Sequence, residues 1–253
     1  MLSFYFKDIK VNICNLRSST EFVLSYLNFK KPAFICVTDA GNIVNAYRNT
    51  PELKEAINSS LLSLPDGRPV SLFAGLKGIK GIDRVAGPDF MERIFEMTSD
   101  KKVKHFFLGD TEEILGKMKS SVEKNYNLDV NGTLSPAFGE WSLEMNDEII
   151  KCLNESGADL IWVSFGGGKQ EIWMKDNFVK LNKGIMIGVG AAFRFYLGEI
   201  QRAPVILQRT GFEWMYRLIQ QPSKMFKRYL STLPYFILYS AQEFFRKSKI
   251  LTF

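Results

Sequence analysis

Two residue types that commonly build metal and redox sites are scarce in this sequence of 253 residues. There is one histidine, His105, and there are three widely spaced cysteines, Cys14, Cys36 and Cys152, with no CxxC pair. This cysteine usage argues against a disulfide framework or a cysteine zinc site and favours a reducing compartment. A single histidine excludes the usual His-rich metal sites, and the DxD motif of metal-dependent nucleotide-sugar enzymes is missing. We therefore expect no metal and no cofactor.

Long apolar runs are also missing. No stretch reaches the roughly 18 uncharged apolar residues that a membrane-spanning helix needs. Acidic and basic residues interrupt the apolar run at the start of the chain, so the layout of a signal peptide is not present. With 46% hydrophobic and 24% charged residues, the composition is typical of an ordinary globular protein rather than a disordered one. We expect a cytoplasmic location.

Positive charge is concentrated at the end of the chain. Residues 201–253 contain nine basic and two acidic side chains, a net +7, whereas residues 1–200 sum to −1. A basic tail of this kind can face nucleic acid, anionic lipid or a phosphorylated substrate. The sequence shows no recognisable nucleic-acid-binding motif, so we expect no nucleic-acid partner.

Short apolar runs alternate with amphipathic helical stretches from residue 33 to about residue 200. The pattern predicts strands over 33–37, 103–108, 159–164 and 184–189, and helices over 50–57, 111–126, 146–154 and 170–181. Thr50 is expected to cap its helix, and His105 is expected to be a packed strand residue. The alternation predicts an α/β fold, a Rossmann-like, mostly parallel sheet with helices on both faces. We predict a catalytic core over 1–200 and a C-terminal helical basic appendage over 201–253.

Loops rich in glycine and acidic residues follow these strands, where open α/β sheets bind ligands. The segment Gly166-Gly167-Gly168-Lys169 comes after an apolar strand and opens a helix. Its glycines allow a phosphate to approach the backbone, and the helix N-terminus and Lys169 supply positive charge. The segment matches neither GxGxxG nor a Walker loop. It is either a diphosphate cradle or a plain turn between strand and helix.

Asp66 lies in the segment Leu64-Pro-Asp-Gly67. Proline and glycine on either side of an aspartate are typical of a bare turn. At a strand end, however, Asp66 could be a general base that takes a proton from an attacking hydroxyl. Because the chain has only one histidine, a carboxylate is the first candidate for such a base.

The basic tail combines aromatic, apolar and cationic side chains. Apolar residues over 214–219 recur at helical spacing, and a second aromatic and apolar stretch over 230–239 is expected to be broken by Pro234. Amphipathic basic segments with Trp and Tyr are typical of anchors at a bilayer surface. The alternative is a terminal helix packed on the core.

A series of ordered segments between about Ala33 and Tyr229 resembles the WecG/TagA/CpsF family of bacterial glycosyltransferases. The segments are Thr38, Leu64-Pro-Asp-Gly67, Arg84-Val-Ala-Gly-Pro-Asp89, Phe106-Phe-Leu-Gly109, Ser135-Pro-Ala-Phe138, Gly166 with Lys169-Gln-Glu171, Gly188-Val-Gly190, Arg202-Ala-Pro204, Gly211-Phe-Glu-Trp-Met-Tyr-Arg217, Pro222 and Arg228-Tyr229. The resemblance implies metal-independent, inverting transfer of a sugar, typically of the N-acetylmannosamine type, from a UDP-sugar to a polyprenyl-diphosphate-linked acceptor. It also implies a role in cell-envelope or exopolysaccharide synthesis, at the inner face of the cytoplasmic membrane.

Site residues follow from the resemblance by position. Asp66 is similar to the family's catalytic base, and Thr38 to a neighbour that contacts substrate. The donor-binding residues are then Arg84, Gly109, Gly166, Gly167, Lys169, Gln170, Glu171, Gly190 and Arg194. The residues near the acceptor diphosphate are Arg202, Arg217, Lys224, Lys227 and Arg228.

Three departures from the family pattern bear on specificity. Ala40 replaces the asparagine of Thr-x-Asn, Ser164 and Gly168 replace a glycine and a proline in the glycine loop, and Arg194 replaces an aspartate. Arg194 would suit an acidic sugar such as a uronate, by charge pairing. A catalytically inactive nucleotide-binding or scaffold protein of the same fold is the alternative function, and homo-oligomerisation is left open.

Overall fold

The structure is a computed structural model that describes residues 1–246 and 250–252. The strands are β1 (Leu2–Phe6), β2 (Ile9–Asn12), β3 (Ala33–Thr38), β4 (Leu62–Pro65), β5 (Lys104–Gly109), β6 (Asp129–Leu134), β7 (Leu160–Ser164), β8 (Ile185–Gly188) and β9 (Ile250–Thr252). The helices are α1 (Leu16–Tyr26), α2 (Ala40–Arg48), α3 (Pro51–Ser59), α4 (Arg68–Leu76), α5 (Gly87–Thr98), α6 (Glu112–Tyr126), α7 (Leu143–Ser156), α8 (Lys169–Asn177), α9 (Ala192–Tyr196), α10 (Val205–Thr210), α11 (Glu213–Gln220) and α12 (Pro222–Phe244).

The central element is a six-stranded parallel sheet with the strand order β4-β3-β8-β7-β5-β6. Strands β3, β4, β7 and β8 are buried along their whole length. Their sequences are continuous apolar runs because a parallel strand between two helical layers has no solvent face. The predicted α/β, Rossmann-like fold is confirmed, and so are all four predicted strands.

The chain divides into two compact units. The first unit comprises Met1–Ser19, Val37–Ala86 and Gln201–Phe253, and the second comprises Thr20–Cys36 and Gly87–Ile200. The basic tail therefore folds together with the N-terminal segment and with the segment that carries Asp66. The functional division into a core over 1–200 and an appendage over 201–253 stays a prediction.

In the first unit, the N-terminal segment forms a small antiparallel sheet that the sequence analysis did not predict. Strand β1 pairs with β2 on one side and with β9 on the other. Phe6 of β1 is buried, stacks on Phe236 of α12 with ring centroids 5.1 Å apart and meets Phe73 of α4 edge-on at 4.7 Å. This aromatic core ties the long C-terminal helix to the N-terminal sheet.

The predicted break at Pro234 is wrong, because α12 runs through it from Pro222 to Phe244. Proline removes one N–H and disturbs the preceding turn, but this helix is supported by a hydrogen bond before Pro234 and by aromatic packing after it. Before Pro234, the hydroxyl of Thr232 donates to the carbonyl of Arg228 at 2.8 Å. After it, Phe236 is buried against the N-terminal sheet.

Two predicted helix details also differ. Thr50 precedes α3 as expected, but its hydroxyl makes no capping hydrogen bond. The helix predicted over 170–181 ends as an α-helix at Asn177 and continues as a 3₁₀ turn over Phe178–Lys180. The other two predicted helices are present as α6 and α7, and α7 ends at Gly157 in the left-handed conformation.

The second unit contains His105 in its core. The side chain is fully buried, accepts from Trp162 Nε1 at 3.1 Å through Nδ1, and lies 3.1 Å from Thr98 Oγ1 through Nε2. Burial lowers the pKa of His105 to about 4. This histidine is therefore a packed strand residue, as expected from the sequence. Within residues 1–246 and 250–252, no helix has both the length and the apolar character needed to cross a membrane.

Candidate active site

Asp66 is the first residue after β4, in the first unit. Its backbone N–H donates to the carbonyl of Thr38 at 3.0 Å, and the carbonyl of Pro65 accepts from Val85 at 2.8 Å. The next residue, Gly67, has a φ of 76°, which a residue with a side chain adopts only with strain. The turn therefore directs the chain away from the strand directly after Asp66, and its carboxyl group is half-buried.

A buried chain of hydrogen bonds holds the strand ends that carry this turn. Ser63 Oγ donates to Thr38 Oγ1 at 2.9 Å, and the N–H of Ser63 donates to Asn12 Oδ1 at 2.6 Å. Asn12 in turn donates to Ser3 Oγ at 2.9 Å. All four side chains are buried. Thr38 thus fixes the position of Asp66 through its carbonyl, while its hydroxyl is already engaged below the surface.

The tail places an ion pair beside Asp66. Arg84 donates to Oε2 of Glu213, the first residue of α11, at 2.9 Å. It also donates to Oε1 of Gln208, in α10, at 3.3 Å. Gln208 accepts from Arg202 as well, again at 3.3 Å. The predicted donor residue Arg84 and the predicted acceptor residue Arg202 therefore share one glutamine.

A second ion pair joins the tail to the loop after β3. Arg228 of α12 donates to Asp39 Oδ2. Asp39 is also the N-cap of α2, because its Oδ1 accepts the N–H of Asn42. The arginine side chain also passes over Gly41, where a Cβ would lie 3.4 Å from its Nη2. Asp39 follows Thr38 directly, so this pair holds the tail next to the predicted catalytic residues.

The environment of Asp66 changes its acidity. Burial raises its pKa from 3.8 to about 6, and the carboxylates of Asp39 and Glu213 also raise it. The guanidinium groups of Arg84 and Arg217 act in the opposite direction. A carboxylate with a pKa near 6 is largely ionised at pH 7 and is a far better proton acceptor than an ordinary aspartate. This is the property that a general base requires.

The second unit contains the glycine loop, residues 165–171, between β7 and α8. Gly166 and Gly168 have φ values of 95° and 85°, and Gly166 has open space where a Cβ would be. Gly167 and Lys169 are exposed. The loop therefore presents backbone and one ammonium group to solvent at a helix N-terminus, which is a favourable arrangement for a phosphate.

Gln170 and Glu171 are buried beneath this loop. The carboxylate of Glu171 accepts the N–H of Gly168 at 2.7 Å and the side-chain amide of Gln170 at 2.9 Å. Gln170 Oε1 accepts the N–H of Gly190 at 3.2 Å, so it links the glycine loop to the loop after β8. In this structure the two side chains hold backbone in place, and their predicted contact with a donor stays a prediction.

The last two predicted donor residues of this unit are Gly109, at the end of β5, and Arg194, in α9. Gly109 has a φ of 97°, and a Cβ there would lie 2.6 Å from the carbonyl oxygen of Ser164. Arg194 of α9 donates two hydrogen bonds, at 2.6 and 3.0 Å, to Asp110, the residue after Gly109. It donates a third to Glu199 at 3.3 Å. Arg194 is therefore fully engaged with carboxylates of its own unit.

The structure thus groups the predicted residues by unit. Around Asp66 it brings together Thr38, Arg84, Arg202, Arg217 and Arg228. Around the glycine loop it brings together Gly109, Gly166, Gly167, Lys169, Gln170, Glu171, Gly190 and Arg194. Lys227 is an exposed residue of α12, and the side chain of Lys224 lies outside the described residues.

Sequence reasoning missed three residues of the Asp66 site. Asp39 pairs with Arg228, and Glu213 pairs with Arg84. The third residue, Gln208, accepts hydrogen bonds from both Arg84 and Arg202. The signal for Glu213 was its place inside the segment that resembles the family, but its partner could not be identified from spacing. Among the described residues, no group of three or more His, Cys, Asp or Glu side chains is arranged to hold a metal ion.

One comparison with known protein families bears on this site. The model of the glycosyl transferase WecG/TagA/CpsF family matches residues 4–250, which is nearly the whole chain and includes both groups of site residues. The chain therefore belongs to the WecG/TagA/CpsF family of glycosyltransferases.

Proposed function

We propose that this glycosyltransferase moves a sugar from a UDP-sugar to a polyprenyl-diphosphate-linked acceptor, with inversion and without a metal. The observation that carries the proposal is the half-buried Asp66, whose pKa is raised to about 6 in a site that also contains Arg84 and Arg217, the latter from the chain's own tail. We assign the product to cell-envelope or exopolysaccharide synthesis, as the family resemblance implies.

In the proposed reaction, Asp66 accepts the proton of an acceptor hydroxyl. The hydroxyl oxygen then forms a bond to the anomeric carbon while the bond from that carbon to the UDP oxygen breaks, and UDP leaves with the electron pair. Attack from the face opposite to UDP inverts the anomeric centre. Thr38 has the role of positioning Asp66, since its carbonyl accepts the N–H of that residue.

The leaving diphosphate needs positive charge, and preorganised donors are an effective source of it. We assign Gly166, Gly167 and Lys169 of the glycine loop to the donor diphosphate. Within the first unit, we assign Arg84 to a substrate diphosphate. We assign the acceptor diphosphate to Arg202, Arg217, Lys224, Lys227 and Arg228. Planar guanidinium groups bind phosphate oxygens in pairs, which favours arginine at such a site.

The donor sugar is proposed to be of the N-acetylmannosamine type, with a related uronate as the second candidate. Arg194 is the residue that would suit a uronate, but two hydrogen bonds to Asp110 already engage it. A uronate would have to compete with that carboxylate. We therefore place the neutral sugar first.

A panel of UDP-sugars, scored for UDP release with a short-chain polyprenyl-diphosphate-sugar acceptor, tests this proposal. Wild type is expected to turn over one donor in EDTA, and Asp66→Asn to lose about 10²- to 10⁴-fold in rate, the typical contribution of a general base. Asp176→Asn, at an exposed carboxylate of α8, is the control and should keep full activity. Equal turnover by Asp66→Asn, or collapse of wild-type turnover in EDTA, contradicts the assignment. Binding of UDP without transfer to any acceptor would favour the inactive scaffold.

We also propose that the tail docks on the inner face of the cytoplasmic membrane. Phe226, Leu230, Ile237 and Phe244 are exposed on α12. At 100° per residue they lie within about 40° of one another around the helix, so they form one apolar stripe. An exposed apolar stripe on a helix of a basic segment is typical of binding to an anionic bilayer surface.

Flotation with vesicles of phosphatidylglycerol and phosphatidylethanolamine tests the docking surface. Full burial of an exposed leucine side chain contributes about 1.5 to 3 kcal/mol of transfer free energy. Leu230→Ser should therefore weaken vesicle binding roughly tenfold. Leu143→Ser, at an exposed leucine of α7 in the second unit, should bind like wild type. Equal loss in both variants, or no loss at Leu230→Ser, refutes the stripe as the lipid contact.

A further inference from the structure

Three carboxylates and three guanidinium groups surround the reaction centre of the first unit. The carboxylates belong to Asp39, Asp66 and Glu213. The guanidinium groups belong to Arg84, Arg217 and Arg228. With all six ionised, the formal charge of this cluster is zero, and Arg202, which is linked to it through Gln208, brings the sum to +1. A diphosphate that entered the cluster without any rearrangement would still make it negative around a carboxylate that must act as a base.

The pair between Arg84 and Glu213 is the part of the cluster that can change. Arg84 Nη2 lies 2.9 Å from Glu213 Oε2, and only 13% of the arginine side chain and 24% of the glutamate side chain are exposed. A partly buried pair of this kind is stronger than one in open solvent. Glu213 is the first residue of α11 and follows closely after Gly211, which ends α10 in the left-handed conformation, so its carboxylate is held by one short helix of the tail.

A carboxylate and a phosphate compete for the same donors. A carboxylate is planar and a phosphate is tetrahedral, but the oxygens of either anion can accept the forked N–H groups of one guanidinium. Glu213 Oε2, 2.9 Å from Arg84 Nη2, therefore occupies a position at this guanidinium that a phosphate oxygen of a substrate would take. Gln208, another partner of Arg84, is neutral and does not oppose an incoming anion.

We propose that Glu213 is an internal counter-ion, which holds Arg84 until the diphosphate of a substrate binds and replaces it. This inference rests on the proposed function, in which Arg84 meets a diphosphate. In the free enzyme, Glu213 keeps Arg84 in place and neutralises its charge, which is a positioning role. As a result, Glu213 lowers the affinity of the enzyme for diphosphate. Removal of the negative charge must then tighten diphosphate binding.

The test measures binding of inorganic pyrophosphate and of UDP to the full chain by calorimetry, without any sugar transfer. Glu213→Gln keeps the shape of the side chain and an oxygen acceptor for Arg84 but removes the charge. We expect it to bind pyrophosphate about three- to tenfold more tightly than wild type. A residue that only supports the fold would give weaker binding when it is changed, so the direction of the effect separates the two roles.

Two further variants make the test specific. Glu243→Gln is the matched control in the same unit, because Glu243 lies 3.1 Å from Arg246 and 3.6 Å from Lys7, outside the Asp66 cluster. It should bind pyrophosphate like wild type. In an Arg84→Gln background, the change Glu213→Gln should give no gain, because the competition is for that guanidinium.

Equal or weaker binding by Glu213→Gln overturns the inference, as does a gain that persists without Arg84. Failure of pyrophosphate and UDP to bind either protein overturns it too. A gain in affinity with no transfer from any UDP-sugar supports the role of Glu213 and counts against the proposed function alone, so the two failures can be told apart.

Discussion

Changing Asp66 to asparagine is expected to stabilise the protein while it removes activity. The pKa of Asp66 is raised from 3.8 to about 6 by burial and by the nearby carboxylates of Asp39 and Glu213. Ionisation of this group therefore costs the folded state more than the unfolded state. At 1.36 kcal/mol for each pH unit of difference, the cost is about 2 to 3 kcal/mol once the group is ionised.

The sign of the pH dependence follows from the raised pKa. Well below pH 3.8 the carboxyl is protonated in both folded and unfolded chains, and the substitution should change stability little. Between about pH 4 and pH 6 the folded wild type loses stability relative to Asp66→Asn, because its unfolded chain ionises first. Above about pH 6.5 the full difference should be present. The variant should then unfold several degrees above wild type.

Urea unfolding of both proteins at pH 4, 5, 6 and 7.5 measures this difference directly. Asp176→Asn is the control, since it replaces an exposed carboxylate in the second unit, and its stability should follow wild type at every pH. A constant difference between Asp66→Asn and wild type across this range, or a variant that is less stable at pH 7.5, would refute the environment assigned to Asp66.

Two further predictions concern the loops of the second unit. Gly109→Ala should lower the free energy of unfolding in urea by several kcal/mol, because its Cβ would lie 2.6 Å from the carbonyl oxygen of Ser164. The Cβ of Gly166→Ala would meet no atom within 4 Å, so this variant should lose only about 1 to 2 kcal/mol through backbone strain. Equal losses in the two variants would contradict this prediction. Arg194→Ala should lower the free energy of unfolding by about 1 to 2 kcal/mol, because the Asp110 side chain, which is 8% exposed, loses its bidentate partner. A melting temperature unchanged from wild type would show that this pair contributes nothing.

Four of the six strands of the parallel sheet, β3, β5, β7 and β8, could be predicted from sequence because they are buried along nearly their whole length. The short strand β4 and the partly exposed strand β6 were not predicted. Each of the four is a short apolar run, such as Leu160–Ser164, and each is followed by a polar or glycine-rich loop. The loops after them are candidate site segments by the general rule that ligands of such sheets bind at the carboxyl ends of the strands, and this stays a prediction. His105 could be assigned to the core from its apolar neighbours alone.

The N-terminal sheet and the ion pairs could not be predicted in this way. Strand β1 pairs with β9 across almost the whole chain, with Leu2 opposite Thr252, and no local pattern reports so distant a partner. Arg228 meets Asp39 and Arg84 meets Glu213 across more than 120 positions. Local patterns showed that the tail was basic, and only the fold shows which carboxylates it meets.

The helix through Pro234 illustrates a further limit. Proline is a reliable sign of a helix end when nothing else holds the helix. Here the aromatic contact between Phe236 and Phe6, at 5.1 Å, is made by residues more than 200 positions apart. Tertiary packing of this kind overrides a local preference, and a single sequence does not reveal it.

The dependence of the transfer rate on pH tests the central claim most directly, namely that Asp66 is the base of a glycosyl transfer. With the donor and acceptor identified by the UDP-sugar panel, kcat/KM should rise with pH and reach half of its maximum near pH 6, where Asp66 loses its proton. Asp66→Asn should show only residual turnover with no such rise. A wild-type profile that is flat from pH 5 to pH 8, or an Asp66→Asn variant with the same rise and rate, would contradict the account.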